Sequence, residues 1–263
     1  MAEGEPALSD ADRTWEQILT RGHTAFKGMR FLFRAMPSSP RCKVCLSPFA
    51  GFGGTAFRAM GFAASRKNPD LCARCLERLP AGGTEVDTAI LFADVRGSTR
   101  LGEQLDPTAF AAVLNRFYKV ATDVLVKRDA IIDKLIGDEV MAFFVPGIAG
   151  AHYRDKAVDA ALALREAVGY GHGEPWLELG VGLHAGIAYV GNVGGPGVQD
   201  MTALGDTVNT AARLQKAAAG GEIVLSQSLW ESIEAPPAAE PRTLDLKGKE
   251  GPFAARVVGA VHA

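Results

Sequence analysis

The sequence predicts an α+β protein: a β-α-β-β-α-β domain with additional C-terminal strands, preceded by a small helical, cysteine-bearing region. Three observations lead there. Apolar runs of strand length alternate with longer segments of helical spacing from about residue 86 onward. A Gly-rich break, "PAGGT" at 80–84, separates that part from what precedes it. All four cysteines lie before the break, as two C-x-x-C pairs.

The N-terminal part comes first. Trp15, Ile18, Leu19, Phe26 and Met29 recur at steps of three, four and seven, with Arg21, Lys27, Arg30 and Arg34 between them. That spacing predicts an amphipathic helix over 11–36, stopping before "PSSP". Residues 1–40 form this segment, 41–80 the cysteine module, and 81–85 a linker by composition. Cys42, Cys45, Cys72 and Cys75 can supply four thiolates to one tetrahedral Zn²⁺, with an iron–sulfur cluster as the rival. The 26 residues between the pairs exceed the usual zinc-ribbon gap. Between them, Phe49, Phe52, Phe57 and Phe62 accompany Arg58, Arg66 and Lys67. That mixture suits a small core with a basic rim, a partner surface, or a peripheral membrane contact.

Residues 86–260 form the larger domain. "TAILFADV" (88–95) reads as a strand. Residues 107–128 read as a helix, opened by Asp106 as cap and Pro107 in the first turn. "IIDKLIGDEVMAFF" (131–144) reads as strand, tight turn, strand. Residues 154–168 are an Ala/Leu helix, and 177–191 alternate as a long strand. Residues 205–220 form a helix ending at Gly220 and Gly221. A strand at 222–226, a short helix and two closing strands complete the chain. This order is the ferredoxin-like plan. "GNVGGPG" (191–197) lacks the strand–loop–helix setting of a phosphate loop and fits a hairpin end.

Composition narrows the function. The formal net charge is -2, which gives no field for nucleic acid. The first 83 residues carry 12 Lys+Arg against 7 Asp+Glu, and the other 180 carry 16 against 23. Such a split predicts two parts with different tasks. The acidic N-terminus has no apolar h-region, and no run approaches a membrane span. A cytoplasmic chain without a transmembrane segment is expected.

The chemistry gathers on carboxylates. Asp94 closes the first strand and Asp138 sits at the hairpin tip. In a split β-α-β sheet these strands are neighbours, so the two side chains can meet. Two facing carboxylates repel unless a cation sits between them. Mg²⁺ is typically held by one or two carboxylates together with substrate phosphates. Arg96, Gly97, Ser98 and Thr99 follow Asp94 in a turn leading into a helix, a setting that suits a polyphosphate. Asn209 and Arg213 stand at i and i+4 on one helix face, where an Arg fork suits a phosphorus with spread negative charge. Lys134 among Ile and Leu is costly without a partner. His184, on the long strand, reads as a packed histidine.

"FADVRGST", "DKLIGDEVMAFF", "HAGIAYVGNVG", "TALGDTVNTAARL" and "LDLKGKEG", in that order over residues 86–258, resemble the class III nucleotidyl cyclases, the adenylate and guanylate cyclase homology domain. The resemblance implies ATP conversion to cyclic AMP and pyrophosphate with two divalent ions, Mg²⁺ or Mn²⁺, per site. It makes Asp94 and Asp138 the metal ligands. Lys134 and Thr202 become readers of the adenine ring, as in a Thr-bearing bacterial subset of adenylate cyclases. Asn209 and Arg213 become the ribose-orienting and transition-state pair, and Lys247 the lysine on the terminal phosphates. Asp206 replaces an Asn common in the family and receives no role. The family builds its site between two chains, so a homodimer with two equivalent sites is implied. The alternatives are a guanylate cyclase, or a silent nucleotide-binding or redox-sensing module on the same fold. A diguanylate cyclase needs a different hairpin from "IGDEV".

Overall fold

The computed structural model describes residues 9–22, 33, 40–76, 79, 81–195 and 198–259. The chain divides into two compact units. One comprises Met1–Val86, Pro146–Ile148 and Tyr189–Ala203, the other Asp87–Val145, Ala149–Ala188 and Leu204–Ala263.

In the first unit, helix α1 (Asp10–Glu16) opens with a capping box between Ser9 and Asp12. It widens into a π turn, Gln17–Arg21, that is capped by Gly22 at φ 51°. The helix predicted over 11–36 therefore breaks at Gly22. The expected residues Phe26, Met29, Lys27, Arg30 and Arg34 lie outside the described ones. Trp15, Ile18 and Leu19 are buried, as the apolar spacing requires. Helices α2 (Gly51–Ala59) and α3 (Ala73–Leu76) belong to the cysteine module. Phe33, Phe57 and Phe62 stack edge to face there, with centroids 4.9–5.8 Å apart.

Strand β1 (Gly82–Val95) starts inside the stretch expected to be a linker. The glycines that look like linker serve close packing. A side chain at Gly83 would lie 2.5 Å from the Val190 carbonyl oxygen and 2.7 Å from Gly191 Cα. Small residues let two strands approach, and composition alone cannot distinguish that from a flexible loop.

From β1 onward the chain follows the predicted order, apart from β5. After β1 come α4 (Ser98–Gln104), α5 (Pro107–Val126), β2 (Ile131–Ile136), β3 (Glu139–Phe144), α6 (Pro146–Ala149) and α7 (Tyr153–Ala167). They are followed by β4 (Leu179–Gly195), β5 (Val198–Leu204), α8 (Asp206–Ala217), β6 (Ile223–Ser226), α9 (Gln227–Ser232), β7 (Glu240–Leu244) and β8 (Phe253–Val258). Asp106 caps α5 by accepting from the N–H groups of Thr108 and Ala109. The eight-stranded sheet runs β2-β3-β1-β4-β6-β8-β7, with β5 paired to β4. Strand β5 was not expected, because "VQDMTAL" carries polar residues at its start.

Helices α5 and α7 cover one face of this sheet. Phe117, Ala121 and Leu125 meet Leu91, Ala93, Ala142, Phe144, Ala161 and Leu164 in one buried cluster. Burial of each Leu or Phe contributes about 1.5–3 kcal/mol. A second cluster joins Leu214 and Ala218 to Val224, Leu246, Ala255 and Val257, and so fixes α8 against β6 and β8.

The hairpin departs from the sequence reading in one respect. Ile132 pairs with Ala142 and Lys134 with Met141, so Asp133 is an extra residue, a β-bulge. The bulge turns Asp133 inward, 3% exposed, and turns Leu135 and Ile136 outward, 43% and 59% exposed. Leu135 and Ile136 were expected in a buried hairpin. They form an apolar tip instead.

Candidate active site

The end of β1 and the tip of the β2–β3 hairpin meet in register. β1 and β3 are antiparallel, with Asp94 directly across from Glu139. The Val95 N–H donates to the Asp138 carbonyl oxygen at 3.1 Å, which places Asp138 beside the strand end. Burial and the negative charge of Asp138 both push the Asp94 carboxyl above its ordinary range, while Arg96 opposes them. The Glu139 carboxyl is pushed up as well, by burial and by Asp94. Three acids thus converge on one partly buried spot, with Arg96 and Lys216 as the opposing cations. Oxygen donors that repel each other are the donor set a hard divalent cation takes.

Arg96 has other duties than the sequence suggested. Its Nη1 lies 3.3 Å from Asp94 Oδ1, and its Nη2 donates to the Gln215 carbonyl oxygen. Its backbone N–H donates to the Glu178 carbonyl oxygen at 2.9 Å. The guanidinium therefore ties the strand end to the last turn of α8. Gly97 is the left-handed N-cap (φ 72°) of α4, which starts with Ser98 and Thr99.

Tyr118 was not singled out in the sequence. It reaches from α5 to the hairpin, and its hydroxyl donates to the Gly137 carbonyl oxygen. Burial and the nearby Asp138 push its pKa up, so it remains a donor at neutral pH. The tip is thus held at two successive carbonyls on either side of Asp138 Cα, that of Gly137 by Tyr118 and that of Asp138 by Val95. Tyr118's only sequence signal is its position on a helix predicted to cover the hairpin.

Lys134 stands on β2 next to the bulge, half-buried, with no ion pair among the described residues. Thr202 is buried on β5, in the other unit, 6% exposed. Asn209 and Arg213 lie one turn apart on α8, Asn209 exposed and Arg213 half-buried. Arg213 Nη1 is buried and has no hydrogen-bond partner among the described residues. The loop between β7 and β8 runs beside it: a side chain at Gly248 would lie 3.3 Å from Arg213 Nη2.

Lys247 is exposed in that loop. Its neighbour Lys249 is ion-paired with Asp206 in the first turn of α8. That lysine holds the Asp206 carboxyl below the usual range. Asp206, left without a role by the sequence, therefore anchors the loop that carries Lys247. His184 is packed as expected. Its Nδ1 is 2.8 Å from Ser226 Oγ, and burial, followed by Lys249, lowers its pKa to about 4.

In one chain these groups form two sets. Asp94, Asp138 and Glu139 are flanked by Arg96 and Lys216, near the last turn of α8. Arg213 lies beside Gly248, and its charge acts on Asp206 at the start of the same helix. The cysteines make a separate centre in the first unit, where four buried sulfurs lie within 4.8 Å of one another.

Residues 84–253 match the family described as the adenylate and guanylate cyclase catalytic domain. An adenylate cyclase of Anabaena cylindrica is 29% identical over 177 residues, covering 61% of this chain and 34% of that protein. An uncharacterized protein of Mycobacterium tuberculosis is 32% identical over 166 residues, covering 62% and 28%. The chain thus spans about a third or less of the length of these curated relatives. Among solved structures, the guanylyl cyclase Cya2 superposes with TM-score 0.63 at 27% identity, covering 69% of this chain and 95% of that one. The adenylyl cyclase CyaB from P. aeruginosa gives TM-score 0.61 at 30% identity, covering 68% and 96%.

Proposed function

This chain belongs to the adenylate and guanylate cyclase catalytic domain family, and on that premise we propose that it is an adenylate cyclase acting as a homodimer. The reaction is attack of the ribose 3′-oxygen of ATP on its α-phosphorus, giving 3′,5′-cyclic AMP and pyrophosphate. The observation that carries the proposal is that Asp138 lies beside Asp94 at the end of β1, where burial and the Asp138 charge push the Asp94 carboxyl up and leave it in need of a cation.

Asp94 and Asp138 are the proposed holders of two Mg²⁺ or Mn²⁺ ions. Glu139, directly across from Asp94, adds to the negative field. Such ions, when bound, supply acidity to the attacking hydroxyl and charge stabilisation to the leaving pyrophosphate. Arg96 keeps Asp94 oriented. The turn formed by Gly97, Ser98 and Thr99 offers backbone N–H groups to the triphosphate. Lys134 donates to a purine ring nitrogen, and Thr202 completes base reading. A Lys/Thr pair favours adenine in the Thr-bearing subset that the sequence resembles. Asn209 orients the ribose. Arg213, whose buried Nη1 has no partner among the described residues, donates to the α-phosphoryl oxygens as charge builds on them. Lys247 neutralises the terminal phosphates from a loop fixed by the Lys249–Asp206 pair.

The homodimer reading rests on two supports. The family that the motifs resemble builds its site between two chains. Also, Leu135, Ile136, Ile187 and Leu204 are large apolar side chains left 43–59% exposed, which association would cover. Among the described residues no helix is long and apolar enough to cross a membrane.

The test is purified protein with ATP or GTP and Mn²⁺ or Mg²⁺, with cyclic product measured by chromatography. Cyclic AMP should form, and Asp94→Ala should abolish it. Lys134→Glu should erode the preference for ATP. Cyclic GMP as the main product would make the chain a guanylate cyclase, and no product from a dimeric, nucleotide-binding protein would make it a silent module.

A further inference from the structure

The cysteine module carries an inference that does not depend on the cyclase reading. Cys42, Cys45, Cys72 and Cys75 are all buried, at 0–2% exposed, and their sulfurs lie within 4.8 Å of one another. Cys45 Sγ and Cys72 Sγ are 3.7 Å apart. Four sulfurs at about 2.3 Å from one zinc sit about 3.8 Å apart at the corners of a regular tetrahedron. In an iron–sulfur cluster the four cysteine sulfurs are shared among two or four irons joined by sulfides, and those on different irons lie further apart. The spacing therefore fits a single ion.

The backbone is arranged for the same end. Leu46, just after the first pair, takes φ 65°, and its N–H donates to the Cys42 carbonyl oxygen at 2.9 Å. This left-handed turn points both sulfurs of the pair to one side. The second pair straddles the start of α3, and the Cys75 N–H donates to the Cys72 carbonyl oxygen at 3.0 Å. The Cys72 N–H donates to Cys42 Sγ at 3.2 Å, a contact that stabilises a thiolate across the two pairs. Lys43 and Asp70 add an ion pair at 2.8 Å beside the same junction.

The loop held by these cysteines grips the β4–β5 hairpin at two points. Five residues before Cys72, Lys67 Nζ lies 2.9 Å from Asp200 Oδ2 on β5, with the lysine side chain only 13% exposed. Four residues after Cys75, the Leu79 carbonyl oxygen accepts from Asn192 Nδ2 on β4 at 2.7 Å. Asn192 is itself buried, 7% exposed.

We propose that Cys42, Cys45, Cys72 and Cys75 hold one tetrahedral zinc ion, and that this ion fixes the loop bracing the β4–β5 hairpin through Lys67 and Leu79. Zinc is favoured over ferrous iron because N/S sites of one geometry bind it more tightly. A segment this short also gains from a metal in place of a large core. Thr202 lies two residues beyond Asp200, so metal loss would loosen the strand carrying it. That last consequence alone rests on the proposed cyclase function.

The experiment uses the full chain as purified. Elemental analysis should give one zinc per chain, with no acid-labile sulfide and no visible absorbance. Replacement by Co²⁺ should give the intense visible bands of a tetrahedral thiolate site. Iron with or without sulfide, or two disulfides and no metal, would overturn the zinc assignment. Hydrogen exchange then tests the brace. Removing zinc should speed amide exchange in 189–204. Lys67→Met, which retains the cysteines, should keep its zinc and still raise exchange in 198–204 by about 1.5- to 5-fold, the range for one partly exposed ion pair. Unchanged exchange in the zinc-loaded variant would overturn the brace. Both readouts are independent of turnover, so their failure would leave the cyclase proposal untouched.

Discussion

Tyr118→Phe removes one hydroxyl and nothing else. In the native chain that hydroxyl donates to the Gly137 carbonyl oxygen, next to Asp138. The bond is neutral and Gly137 is exposed, so water can replace the donor. A net loss of about 0.5–1 kcal/mol is expected, the lower part of the range for such bonds. For a chain of this size that lowers Tm by roughly 1–4 °C. The same energy bounds the functional effect. If Tyr118 acts only by holding the hairpin tip, metal affinity can fall by no more than about two- to fivefold. The assay is cyclase activity against Mn²⁺ concentration, beside thermal melts with and without Mn²⁺. The midpoint for Mn²⁺ should rise within that range, and saturating Mn²⁺ should restore most of the turnover. An unchanged Mn²⁺ midpoint would refute the positioning role. So would a loss of maximal turnover beyond tenfold, which would require the hydroxyl to touch the reacting groups.

Asp94 gives a sign. Its folded pKa is raised, so the metal-free protein binds the proton more tightly than the unfolded chain does. Its contribution to stability is therefore present at low pH and lost as pH rises from the ordinary aspartate range through the raised value. Urea midpoints of metal-free wild type should show that fall, Asp94→Asn should remove it, and Mn²⁺ should reverse it in wild type only. His184 runs the other way: with its pKa lowered to about 4, stability is lost as pH falls from about 6.5 toward 4. His184→Gln should flatten that limb in the same melts. Phe117→Ala empties the centre of the α5–sheet core and should cost about 3–5 kcal/mol, read as a lower urea midpoint. Asp206→Ala frees Lys249. It should raise KM for ATP by a larger factor than it changes kcat, because its main effect is to loosen the Lys247 loop.

The order and type of the main elements other than β5 can be read from local periodicity and local caps. The sequence also put Asp94 at a strand end, Asp138 at a turn, and the cysteines in two pairs. The tertiary structure decided what those residues face. The bulge at Asp133 is one residue counted against a partner strand, so its exposure of Leu135 and Ile136 is invisible until β2 is paired with β3. The commitment of Arg96 to Gln215, the Tyr118 hydroxyl on Gly137 and the Lys249–Asp206 pair each join segments far apart in the chain. No local pattern records them, because each depends on which surfaces the packed sheet brings within reach.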